Sequence, residues 1–243
     1  MIARAISENI INFDFCNWRE DYGVGNYRQV DDRPYGGGAG MVLKADPVFD
    51  ALSHYEAVST MFENESQANV SYLPNNSLFY SKCLANNKVE KATIMLTPRG
   101  FPFNQSTSKW LSGFKELNIL CGRYEGFDAR LSNCVDLELS IGDYVLNGGE
   151  VAAMSLVEAV SRLLPGFVTK PSVIHNDSFS KISDKYHERD RNLFDNSYWV
   201  KSIMPKIEHP QYTRPYDWKG WKVPDILLSG NHQQIRMWQQ SWL

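Results

Sequence analysis

A chain of 243 residues, 43% hydrophobic and 13% aromatic, has enough apolar side chains for one large core or two modest ones, which excludes disorder as a reading of the whole. The net charge of -3 excludes a globally basic nucleic-acid binder, although residues 1–169 hold 14 basic against 20 acidic residues and residues 170–243 hold 11 against 8. Cys16, Cys83, Cys121 and Cys134 have no CxxC spacing and no accompanying His cluster, so no metal site is expected; with no apolar leader stretch, they point to reduced thiols in a cytoplasmic protein.

Residues 1–11 read as a short amphipathic helix with Ile2, Ala5, Ile6 and Ile10 on one side. Asp31-Asp32-Arg33-Pro34 does not read as a buried strand, and the Gly-rich loop "RPYGGGAGM" (33–41) starts there. A helix is expected over "ADPVFDALSHYEAVSTMF", with Asp46 as N-cap and Pro47 at the first helical position. Residues 63–90 are polar and Asn-rich, an extended loop or insertion. Next come three apolar runs: "KATIMLTPRG", expected to run into a Pro-Gly turn, "LNILCGRYEG" and "LELSIGDYVLNGGE".

"GEVAAMSLVEAVSRLLPG" is the clearest helix; its few polar residues share one arc, so it is expected to be packed on most sides and to stop at Pro165-Gly166. Residues 170–207 lack periodicity and read as a mobile linker. A Trp-rich connector follows, with a final helix opening near "SGNHQQIRMWQQ".

Strand, glycine turn and helix in repetition predict an α/β fold with a mostly parallel sheet flanked by helices. Ligands of such sheets sit beyond the carboxyl ends of the strands. Three strand ends here finish in glycine-bearing loops: Leu96 to Gly100, Cys121 to Gly126 and Ile141 to Gly149. Their convergence predicts a cofactor pocket. An ordinary dinucleotide site is excluded, because "YGGGAGM" lacks the G-x-G-x-x-G spacing after a buried strand, and no G-x-x-x-x-G-K-[ST] occurs.

The motifs "VDDRPYGGGAGMV", "LTPRGFPFNQ", "LCGRYEGFDARL", "SIGDYVLNGGEVAAMSLVEAVSRLLPG", "NDSF", "QYTRP" and "VPDILLSGNHQQIRMW" occur in this order. From about Val30 to Trp238 the chain thereby resembles the bacterial tRNA (guanine-N1)-methyltransferases of the trefoil-knotted (SPOUT) superfamily. The resemblance implies a deep knot that holds S-adenosylmethionine, a small helical tRNA-binding domain at the C-terminus, and a homodimer whose active site lies at the subunit interface. It implies domains at 1–168 and 208–243 joined by the linker 169–207. Leu96, Thr97, Pro98, Ile141, Val145 and Leu146 would wall the cofactor. Gly122, Gly142, Gly148 and Gly149 would let the main chain approach it, Tyr124 and Tyr144 would pack on it, Glu125 would partner its positive end, and Gly100 and Asp143 would be further contacts.

The same resemblance implies the chemistry. N1 of guanine carries a proton at neutral pH and needs a base before it can attack a methyl group; Asp177 of "NDSF" would be that base and Arg162 the electrostatic stabiliser. A free Asp, with a pKa of about 3.9, would gain basicity by partial desolvation. Arg33, Tyr35, Tyr212, Arg214, His232 and Arg236 are further candidates for tRNA contact, and Mg²⁺ is a candidate accessory ion. Members of the family start with a further strand before the first helix and continue past the position of Leu243. An impaired RNA- or cofactor-binding relative is therefore the alternative reading. Gln211, Ala152 and Arg99 stand where the family usually has His, Pro and Gln.

Overall fold

The computed structural model describes residues 1–58, 90–170, 173–174, 179 and 209–241. Its centre is a three-stranded sheet in the order β4-β3-β5, with β3 spanning Lys91–Pro102, β4 Glu116–Cys121 and β5 Leu137–Ser140. Both pairings are parallel, as the alternation of strands and helices predicts. Successive residues of β3 point to opposite faces. Ala92, Ile94 and Leu96 join Leu111, Leu137, Leu139 and Leu156 in one apolar cluster. Met95 joins Leu43, Val48, Leu52, Leu120, Phe127 and Leu131 in a second on the other face. A sheet covered on both faces can be apolar throughout, which explains why Ala92 to Leu96 are all buried.

The N-terminal part contributes α1 (Ile2–Ser7), α2 (Trp18–Tyr22), the antiparallel pair β1 (Asp31–Asp32) and β2 (Val42–Leu43), and α3 (Ala45–His54). Between β3 and β4 lies α4 (Gln105–Leu111), capped by the Asn104 side chain, which accepts from Thr107 N at 3.1 Å. A 3₁₀ turn (Ala129–Cys134) precedes β5, and α5 (Glu150–Ser161) follows it. The C-terminal part holds the hairpin β6 (Asp217–Trp218) and β7 (Trp221–Lys222), a 3₁₀ turn (Asp225–Leu228) and α6 (His232–Gln240).

Several expectations are corrected. The first helix ends at Ser7 and buries only Ala5. Asp31 and Asp32 do form a short strand, and Asp32 is buried, because Arg214 neutralises its carboxylate there. The N-cap of α3 is Lys44 rather than Asp46. The Asp46 carboxylate instead accepts from Trp218 Nε1 at 2.7 Å, and α3 stops at His54. No turn ends β3 at Pro98-Arg99-Gly100: the strand continues to Pro102, and Leu139 of β5 pairs with both Leu96 and Phe101 across a register shift. The long helix is not packed on most sides. It buries Ala152, Leu156 and Val160, whereas Val151 is 58% and Met154 70% exposed. The Asn-rich stretch 63–89 and nearly all of the linker lie outside the described residues.

Candidate functional site

Parallel pairing of β4, β3 and β5 places at one edge of the sheet the glycine-bearing loops after β4 and β5 and the glycine-bearing end of β3, which remains strand through Gly100. The loops then interlock through their main chains. Gly149 N donates to Gly122 O at 2.8 Å, and Arg123 bridges to Gly148 in antiparallel fashion. Phe103 N donates to Ser140 O at 2.7 Å. A Cβ on Gly149 would lie 2.8 Å from Cys121 Cα, and one on Gly100 would stand 2.4 Å from both the N and the C of Leu139. These two positions need glycine because main chain passes directly over main chain, loop over the end of β4 at Gly149 and β3 over β5 at Gly100. Gly142, at φ +152°, lies beneath the Tyr144 ring.

Around this crossing the side chains divide. Leu96 is buried in the core of the sheet, and Ile141 packs partly against the same cluster. Thr97 and Gly100 are half-buried, and Pro98, Asp143, Tyr144, Val145 and Leu146 are exposed on the outer side of the edge. Tyr124, at φ +60°, is also exposed, and its hydroxyl accepts from Arg19 Nη2 at 3.2 Å. No main-chain hydrogen bond within the described residues engages the N–H of Val145 or Leu146. Free amides beside exposed apolar side chains suit a flat heteroaromatic ring, which needs an apolar slot and main-chain partners at its rim. The carboxylates of Glu125 and Asp143 suit a cationic group. The residues present therefore fit an adenosyl cofactor.

Glu125 also links this edge to the Gly-rich loop. Its N–H donates to Met41 O at 3.0 Å, and its carboxylate lies against Gly40. On the far side of that contact a cavity of about 600 Å³ is lined by Gly36 to Ala39, Glu125, His209, Gln211, His232, Ile235, Arg236 and Gln239. Two of the candidate tRNA contacts, His232 and Arg236, thus meet in one cavity, one helical turn apart on α6. Arg33 is exposed nearby in sequence. Tyr212 is 1% exposed in an apolar cluster with Val223, Leu227 and Ile235, and Tyr35 packs against it. The Arg214 guanidinium forks onto Asp32 at 2.9 and 2.8 Å, and that contact holds the Asp32 carboxyl below the usual carboxylate range despite its burial.

Arg162 occupies the C-cap of α5, half-buried, with its N–H donating to Glu158 O at 3.2 Å. Asp177 lies outside the described residues. Sequence reasoning missed the ion pair of Arg123 Nε with Glu150 Oε1 at 2.8 Å, which ties two of the loops together. It also missed Asp128 and Arg130, which pair at 2.8 Å in full burial. The only signal for the latter was a charged "DAR" between the apolar Phe127 and Leu131. Burial pushes the Cys121 thiol, at the end of β4, up to about 11.

The sequence model of one protein family, described as "tRNA (Guanine-1)-methyltransferase TrmD", matches residues 1–242. Among curated proteins, the tRNA (guanine-N(1)-)-methyltransferase of Prochlorococcus marinus (strain MIT 9312) is 38% identical over 241 residues, covering 99% of this chain and 76% of its own length. That of Malacoplasma penetrans (strain HF-2) is 36% identical, covering 100% of this chain and 82% of its own. That of Borreliella burgdorferi (strain ATCC 35210) is 37% identical, with 98% and 78% covered.

Proposed function

The chain belongs to the tRNA (guanine-1)-methyltransferase family, and on that premise we propose that it methylates N1 of the guanine 3′ to the anticodon in tRNA. The observation that carries the reading is the close main-chain crossing at the carboxyl edge of the parallel sheet, where the loop at Gly149 locks onto the loop at Gly122 and the end of β3 at Gly100 lies directly against Leu139 of β5. It supports a threaded, trefoil-knotted arrangement of these loops as the cofactor seat. When bound there, S-adenosylmethionine supplies the electrophilic methyl group.

The chain's own groups do the rest. The amides of Val145 and Leu146, with Tyr144 and Tyr124, hold the adenosyl part, and Glu125 and Asp143 face the cationic part. Asp177 takes the N1 proton onto its carboxylate, which leaves the electron pair on N1 and negative charge spread toward O6. Arg162 stabilises that charge as it develops. A fixed cation near the base counts for more once water is excluded. The segment that carries Asp177, 169–207, acts as the interdomain linker, and 208–243 as the tRNA-binding part.

The exposed apolar side chains of Val151 and Met154 on α5, and of Tyr144 and Val145 in the loop that precedes it, favour a homodimer that covers them and completes the site between subunits. Mg²⁺ is a candidate accessory ion for the transfer. No helix among the described residues is long and apolar enough to cross a membrane.

The test is transfer of a labelled methyl group to tRNA lacking the modification, followed by nucleoside mapping. Label in 1-methylguanosine next to the anticodon is the expected result; label elsewhere, or none with cofactor bound, overturns the reading. Asp177→Ala is expected to abolish transfer with calorimetric cofactor affinity within about twofold of the parent. Equal loss of both would remove Asp177 from the base role.

A further inference from the structure

Asp128 and Arg130 flank the start of the 3₁₀ turn after β4, and their side chains are 0% and 1% exposed. Arg130 Nε and Nη2 donate to the two carboxylate oxygens of Asp128 at 2.9 and 2.8 Å. Asp128 Oδ1 also accepts from Arg130 N at 3.0 Å, and further bonds from both side chains reach a segment more than 80 residues away. Arg130 Nη2 donates to Thr213 O at 2.7 Å and Nη1 to Pro215 O at 2.8 Å. Asp128 Oδ2 accepts from Thr213 N at 2.7 Å and from Thr213 Oγ1 at 2.8 Å. Between them, Ala129 N donates to Gln211 O at 2.8 Å. From the opposite side Tyr35 N donates to Tyr212 O at 2.7 Å. Residues 211–215 are thus gripped by their main chain between the turn and the base of the Gly-rich loop.

A buried ion pair is a poor means of gaining stability, since apolar replacements often serve as well; its distinctive effect is to tolerate few alternative arrangements. Here the arrangement is over-determined. Asp128 accepts from five donors, and any sliding of 211–215 along the turn would strand buried polar atoms of the pair and of Thr213 without hydrogen-bond partners. The side chains placed by this grip are Gln211 and, just before it, His209. Both line the cavity that His232 and Arg236 close from α6.

Resting on the tRNA methyltransferase reading above, we propose that Asp128 and Arg130 are positioning residues for the RNA substrate: they hold 211–215 so that His209 and Gln211 face His232 and Arg236 across the cavity. Being buried, neither touches the RNA. The crossings proposed to seat the cofactor, Gly149 on Gly122 and Phe103 on Ser140, use none of the bonds of the grip, so cofactor affinity does not depend on it.

The experiment compares Thr213→Val, which removes one donor to Asp128 at nearly constant shape, with Arg130→Lys, which keeps the charge and loses the fork. Filter binding gives tRNA affinity, calorimetry gives cofactor affinity, and circular dichroism at 25 °C reports folding. Expected are a loss of tRNA affinity of about fivefold for Thr213→Val and more than about tenfold for Arg130→Lys, matched by a rise in KM for tRNA, with cofactor affinity within about twofold. Unchanged tRNA affinity in a folded Thr213→Val protein overturns the proposal, as does an equal fall of both affinities. Should Arg130→Lys not fold, Thr213→Val decides alone. A parent protein that binds tRNA but transfers no methyl group sinks the methyltransferase reading, while the positioning role is still judged by tRNA affinity.

Discussion

Two regions flank Glu125, and they are built on opposite principles. The edge where β3, β4 and β5 end is held by main chain against main chain, with glycines at the crossings and exposed side chains around them. The junction of 128–130 with 211–215 is held largely by the buried side chains of Asp128 and Arg130, which bond main-chain atoms of Thr213 and Pro215 and the Thr213 hydroxyl. The first leaves side chains free to meet a ligand. The second uses its side chains up inside the protein and can act on a ligand only through what it holds. Backbone crossings resist any added atom, whereas ionic junctions resist any lost partner.

The sharpest way to break this contrast is Asp128→Ala. It leaves the Arg130 guanidinium buried without its counter-ion, for an expected loss of about 3–5 kcal/mol in urea unfolding. A loss under about 1 kcal/mol would show that water replaces the carboxylate and that the junction is not ionic in character.

Gly149→Ala tests the other side. One added methyl group 2.8 Å from Cys121 Cα is expected to cost about 1–3 kcal/mol and to weaken the cofactor edge, since the Gly122 contact must open to admit it. Unchanged stability would mean that the loops merely lie near one another.

Asp32→Asn sharpens the comparison through pH. Its folded pKa is depressed by Arg214, so its contribution is present above the unfolded value of about 4 and lost as pH falls through the lower folded value. The stability gap between parent and variant should be constant near pH 7 and close only in acid. A gap that closes on raising pH instead would reverse the assigned cause. The smallest effect is expected for Arg123→Ala, about 0.2–1 kcal/mol and weaker in salt, because that pair with Glu150 is about half exposed.

Much of the glycine-rich edge of the sheet was legible from residues alone. The parallel sheet, the three glycine-bearing loops and the long helix after "NGGE" follow from periodicity and turn chemistry, which act over a few residues. Element ends were less legible. Pro98 and Gly100 look like the close of a strand, yet β3 runs on to Pro102 because β5 offers Leu139 a second time. Asp46 looks like a cap, yet Trp218, 172 residues away, takes its carboxylate. Val151 and Met154 read as core on a helical wheel, and only the packing of α5 on one side shows them facing outward.

The amino-acid sequence by itself determined the sheet order's parallel sense, the glycine positions and the family, since each depends on local pattern or on motif order. Only the tertiary structure decided what the glycines face and what the charged groups hold. Asp128, Arg130 and Asp32 are of residue types that ordinarily stay at the surface, yet the fold buries all three. Burying a charge is favourable only when a partner distant in sequence supplies the compensating bonds, and that partner is brought by the fold.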